Sequence, residues 1–260
     1  MNFNTYADKN VCSYKKNNMF KDKIAIVTGG TGALGRVIVN RLAEAGMKVY
    51  VPVRSINEFN TIFDDSQRDI EDFKGLLRRY ALACDATNEE EVKEFCDNVV
   101  KQEKTIDFLV NTVGGYHPKR NVLDTDRELI DKQLFMNFYT TFFFTKYSLG
   151  YFKANNFGRV VSIGAKPAIE TTAGKFAYSF SKAGVVNLMQ TLAEEHKSDN
   201  ITFNSIIPSV IDTPANRESM QNQDFSAWVT PEEIAETCLF LLGDGARSFR
   251  GNVVKMYGRV

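Results

Sequence analysis

The stretch Lys23-Ile24-Ala25-Ile26-Val27-Thr28-Gly29-Gly30-Thr31-Gly32-Ala33-Leu34-Gly35 decides the fold. A β-branched run of strand length stops at two glycines. Helical spacing through Leu34, Val37, Ile38, Arg41 and Leu42 then begins at once and ends at Gly46. Gly29, Gly32 and Gly35 suit a tight turn, close approach of backbone to a pyrophosphate, and close packing of helix on strand. The N–H groups at such a helix start face an anion. A glycine triplet alone is a weak signal, but one that follows a strand and opens a helix has the context of a dinucleotide site. The candidate cofactor-binding residues of this turn are Gly29, Thr31, Gly32, Ala33, Leu34 and Gly35.

Working outward, apolar runs of strand length recur at residues 48–53, 80–84, 106–110, 159–163, 201–207 and 252–256. Helical stretches lie between them. Thr87 is the expected N-cap of a helix through Val92, Phe95 and Val99, and long helices are expected over 127–152 and 176–196. Pro231, Glu232 and Glu233 open another. The fold class is therefore α/β, a Rossmann-type doubly wound parallel sheet of about seven strands with helices on both faces. Residues 1–20 are expected to be a polar N-terminal tail and 21–260 a single domain, with the charged segment 55–79 a solvated helix or helix pair. Ligands on such a sheet bind beyond the carboxyl ends of the strands.

The composition narrows the partners. Lys and Arg number 32 and so do Asp and Glu, which gives no electrostatic case for nucleic acid or an anionic membrane. The most apolar helix, 135–152, carries Asn137, Lys146 and several hydroxyls, too polar for a membrane span. The expected partner is a small-molecule substrate. Cys12, Cys84, Cys96 and Cys238 are scattered and only His117 and His196 accompany them, so no metal site is expected. Reduced thiols and the lack of an apolar leader point to the cytoplasm.

After the second strand comes Arg54-Ser55, with no carboxylate until Glu58. An acidic residue there would read both ribose hydroxyls and favour NAD(H); Arg54 and Ser55 suit a 2′-phosphate, so NADP(H) is favoured over NAD(H). The alternative is a solvated arginine at a strand end.

Tyr178 and Lys182 stand four apart and share one helix face. Together with residues 28–35, Asp85, Asn111 with Gly114, Asn137 and residues 208–214, they make the chain resemble the short-chain dehydrogenase/reductase family from Lys23 to Gly258. The resemblance implies Tyr178 as general acid, its pKa lowered by the Lys182 ammonium, and Lys182 on the nicotinamide ribose. It implies that Asn137 holds a relay water and that Asp85 and Ala86 contact the adenine. Asn111, Val113 and Gly114 would form the turn after the fourth strand, and Pro208, Ile211 and Thr213 the loop over the nicotinamide. It also implies a homodimer or homotetramer, which light scattering would refute by finding a monomer.

One departure is informative. The family's catalytic Ser falls thirteen positions before Tyr178, where this chain has Ala165. Ser162 is expected on the opposite face of its strand. At the same places the chain resembles the quinonoid dihydropteridine reductase branch, in residues 29–35, Gly164-Ala165-Lys166, and the run 211–220 continuing to Pro231. Gly114-Gly115-Tyr116 resembles that branch's turn, whose aromatic ring lies against the pterin. Tyr116, Ala165 and Lys166 are the candidate substrate residues, with Lys166 alternatively a solvated strand-end residue. A carbonyl reductase working without the Ser and a non-catalytic cofactor-binding sensor are the other function classes.

Overall fold

The computed structural model describes residues 18–64, 77–116 and 119–260. The glycine turn joins β1 (Ile24–Thr28) to α1 (Ala33–Glu44). Then follow β2 (Lys48–Val53), α2 (Ile56–Ile62), β3 (Arg79–Ala83), α3 (Glu89–Glu103) and β4 (Phe108–Asn111). The middle of the chain forms α4 (Arg127–Leu134), α5 (Thr140–Asn155), β5 (Gly158–Ile163) and α6 (Phe176–Glu195). The last part adds β6 (Ile201–Pro208), α7 (Pro214–Ser219), α8 (Pro231–Leu242) and β7 (Val253–Met256).

All seven strands pair in parallel, in the order β3-β2-β1-β4-β5-β6-β7. The order reverses between β1 and β4, which opens a crevice beyond Thr28 and Asn111. Strands β1, β4, β5 and β6 are buried on both faces, as near-continuous apolar runs require. One face packs α1 and α8 through Ile38, Val39, Leu42, Ile234 and Leu241. The other packs α3, α5 and α6 through Phe95, Val99, Phe144, Phe152 and Met189.

Several boundaries differ from expectation. Asn88, not Thr87, caps α3: its side chain accepts from Glu90 and Glu91 N–H, while the Thr87 hydroxyl donates to Asp85. Residues 127–152 form one continuous helical path, but a π-helical stretch, Phe135–Tyr139, separates α4 from α5. The proposed end of the tail at residue 20 falls inside a packed turn, because the Phe20 ring meets the Phe108 ring edge-on at 5.9 Å. Of the charged segment 55–79, α2 is described; residues 65–76 lie outside the described residues, as do 1–17 with Cys12, and His117. Cys84, Cys96 and Cys238 are buried free thiols, and burial pushes all three up. Among the described residues no helix is long and apolar enough to cross a membrane.

Candidate active site

The glycine turn is built to let another group approach. Gly29 has φ +64, which β-carbon sterics disfavour, and a Cβ on Gly35 would lie 2.1 Å from the Gly29 carbonyl oxygen. Thr28 ties the turn to the end of β4: its hydroxyl accepts from Thr112 N–H at 3.1 Å, and its carbonyl accepts from the Thr112 hydroxyl at 2.6 Å. Above these strand ends lies a cleft of about 230 Å³, lined by Gly29, Gly32, Ala33, Leu34, Gly35, Thr112, Gly114, Gly115, Ile163, Gly164, Tyr178, Lys182 and Ile211. A side chain at Gly114 would narrow it, because a Cβ there would sit 2.7 Å from both Lys182 Nζ and Asn137 Oδ1. A bare backbone floor at a helix N-terminus fits a dinucleotide.

Helix α6 carries Tyr178 and Lys182 into this cleft. Its buried stripe runs through Lys182, Val185, Val186, Met189, Leu192 and Ala193, so Lys182 occupies a core-facing position. The ammonium is 4% exposed and donates to the Ile163 carbonyl at 2.9 Å. Burial lowers its pKa to about 8. Tyr178, one turn earlier, is pushed up to about 12 by burial and then by the neighbouring Tyr116. This corrects the expectation that Lys182 lowers Tyr178. The ammonium is turned to the β5 carbonyl, and desolvation of the phenolate dominates. The phenol therefore keeps its proton at neutral pH, the form needed to give one.

Asn137 sits in the middle of the π-helical stretch and is fully buried. Its Oδ1 accepts from Gly115 N–H at 2.9 Å, while Nδ2 donates to the Gly115 carbonyl and to Gln133 Oε1, both at 3.2 Å. Both amide donors are thus committed, and the side chain clamps the Gly114–Tyr116 loop. Tyr116, in turn, meets Tyr178 ring edge to face at 5.3 Å.

The remaining candidates divide. Asn111 is buried, and its Nδ2 donates to Thr145 and Ser162 inside the α5-facing core, so only its backbone borders the crevice. Val113 N–H reaches the Thr28 hydroxyl at 3.5 Å. Ser162 faces away as expected, donating to Met189 Sδ at 3.2 Å. Ala165, which follows the cleft-lining Gly164, is buried and offers only a methyl group. The Lys166 ammonium lies over the Tyr257 ring at 4.8 Å and 4.0 Å from Glu170. Arg54 is exposed, and Ser55 caps α2 by accepting from Glu58 N–H, which leaves its hydroxyl proton available. Asp85 is held below the usual carboxylate range mainly by its hydrogen bonds with Thr87, with a smaller contribution from the Arg54 charge. Ala86 is partly buried against the α3 side of the core. Pro208 ends β6 opposite Met256, Ile211 lines the cleft, and Thr213 caps α7. Thr31 is partly buried in the glycine turn.

Thr28, Thr112, Gln133 and the Ile163 carbonyl were not singled out from the sequence. Only Gln133 had a usable signal, its position four residues before Asn137.

The family model for short chain dehydrogenases matches residues 23–224, and the chain belongs to that family of NAD(P)-dependent oxidoreductases. It is 26% identical over 255 residues to a 7alpha-hydroxysteroid dehydrogenase of Bacteroides fragilis, covering 93% of this chain and 95% of that one. It is likewise 26% identical over 246 residues to the 3-oxoacyl-(acyl-carrier-protein) reductase FabG of Aquifex aeolicus, covering 91% and 96%. Among solved structures, a short-chain type dehydrogenase/reductase from Mycobacterium ulcerans superposes with a TM-score of 0.84 at 23% identity, covering 92% of this chain and 90% of that one. NAD+-bound xylitol dehydrogenase superposes with a TM-score of 0.81 at 23% identity, covering 92% and 99%.

Proposed function

We propose that this enzyme reduces a quinonoid dihydropterin or a similarly conjugated ring, with NADPH preferred as the reductant. The observation that carries the reading is the hydroxyl inventory of the cleft. Among the described residues that line it, Tyr178 carries the uncommitted hydroxyl; that of Thr112 is given to Thr28, that of Ser162 points into the core, and Ala165 has none. A ketone develops a localised alkoxide and profits from a second donor, whereas a conjugated ring spreads the incoming charge.

In this reading residues 29–35 hold the pyrophosphate, and Lys182 with the backbone at Gly114 and Ile211 holds the nicotinamide half. The bound nicotinamide supplies the hydride. Tyr178 then protonates the reduced ring, and Tyr116, fixed through Asn137 and Gly115, forms the wall the ring lies against. Arg54 and the Ser55 hydroxyl proton meet a 2′-phosphate. A cytoplasmic homodimer or homotetramer accords with this reading.

The names of the relatives, a hydroxysteroid dehydrogenase and an oxoacyl reductase, favour carbonyl reduction as a second reading. The test is oxidation of NADPH and NADH with quinonoid dihydropterin generated in the cuvette. The expected result is turnover with kcat/KM about tenfold to a hundredfold higher for NADPH, the worth of one charge-assisted bond. Arg54→Gln should bring the two cofactors level. Bound NADPH without turnover would remove the pterin reading, and an unchanged ratio in Arg54→Gln would remove the role of Arg54.

A further inference from the structure

The side of the cleft beyond Tyr116 carries positive charge that the reaction above does not use. Lys175 immediately precedes α6, three residues before Tyr178, and its Nζ lies 5.1 Å from the centroid of the Tyr116 ring. That ring packs on Tyr178, so ammonium, wall and proton donor stand in sequence. A small recess is lined by Arg120, Gln133, Lys175 and Tyr178 among others, which puts a second cation and the proton donor around one space. The two loops are tied together: Arg120 N–H donates to the Gly174 carbonyl at 2.9 Å. Gly174 has φ +75, and a Cβ there would come within 3.3 Å of Lys119 Cβ.

Arg120 has Asp126 at 3.7 Å, but among the described residues neither Lys175 nor Lys119 has a carboxylate partner. Lys175 is half-buried, and burial followed by the nearby Lys119 holds its pKa below the ordinary lysine value. A partly desolvated ammonium beside a second cation, with no carboxylate partner among the described residues, is an arrangement that a bound anion improves.

We propose that Lys175, supported by Lys119, selects substrates that carry an anionic group (a carboxylate or a like oxyanion) on the side of the ring beyond Tyr116. The inference rests on the reductase reading for where the substrate lies, and it names a further class property of that substrate.

The probes are 4-carboxybenzaldehyde and its methyl ester, titrated against the NADPH-loaded protein by the change in cofactor fluorescence. The acid is expected to bind about tenfold to a hundredfold more tightly than the ester. Lys175→Gln should bring the acid-to-ester ratio close to one, and Lys175→Arg should retain it. Thermal unfolding confirms that both variants are folded. Equal binding of acid and ester, failure of the acid to bind, or a preference that survives in Lys175→Gln overturns the proposal. NADPH oxidation with quinonoid dihydropterin is followed alongside: an intact preference for the acid in a protein that does not turn over the pterin counts against the reductase reading and leaves the anion site standing.

Discussion

Tyr178→Phe is expected to lower kcat by about a hundredfold to ten-thousandfold, the usual worth of a positioned general acid, and to leave NADPH affinity nearly unchanged. Among the described residues lining the cleft the phenol is the uncommitted hydroxyl, and its elevated pKa keeps the proton on it through the neutral range. Removing one oxygen opens no cavity of consequence, and the ring contact with Tyr116 at 5.3 Å persists. Single-turnover mixing of NADPH-loaded variant with acceptor separates the chemical step from binding. A variant that turns over at the parent rate would mean that the proton comes from water or from another group.

Lys182→Met is expected to do two opposite things. Activity falls, because the ammonium beside Gly114 and the Ile163 carbonyl is lost from the cleft. Stability at pH 7 rises. Folding lowers the lysine from its unfolded value, about 10.4, to about 8. Between those values the unfolded chain binds more protons than the native one, so the parent gains stability as pH rises. Below about pH 8 the parent carries the full cost of the buried charge, about 3 kcal/mol at most. The variant should therefore be the more stable protein at pH 6–7, by about 2 kcal/mol after the lost carbonyl bond is counted. Its advantage should shrink from about pH 8 and be gone by about pH 9.5. Urea unfolding at pH 7 and pH 10 measures both ends. A variant less stable than the parent at pH 7 would show that Lys182 is a net support of the fold. The same titration should appear in the parent's activity, with kcat/KM falling above about pH 8 as the free enzyme loses this charge.

The parts of the fold and site that could be read early are those whose cause is local. The turn at Gly29–Gly35 was legible because positive φ and a 2.1 Å approach to a carbonyl forbid side chains where the sequence has none. Tyr178 and Lys182 were legible because helical spacing alone puts them on one face. Strand alternation was enough to turn Ser162 away from the cleft. The unread parts depend on distant neighbours. The contact of Lys166 with Tyr257 forms only when the residue after β7 arrives from far along the chain. Gln133 becomes the support of Asn137 only once the π-helical stretch sets their geometry. The raised pKa of Tyr178 follows from its burial and from Tyr116, which folding brings against it, while the Lys182 ammonium is held by the Ile163 carbonyl.

The central point is that this cleft, whose described lining offers Tyr178 as its uncommitted hydroxyl, works because its acceptor needs no second donor. The direct measurement is kcat/KM for quinonoid dihydropterin and for cyclohexanone, in the parent and in Ala165→Ser. The account predicts that the parent favours the pterin by at least about a hundredfold, and that the added serine raises ketone turnover while scarcely changing the pterin. A parent that reduces the ketone as well as the pterin, with nothing gained in Ala165→Ser, would contradict it.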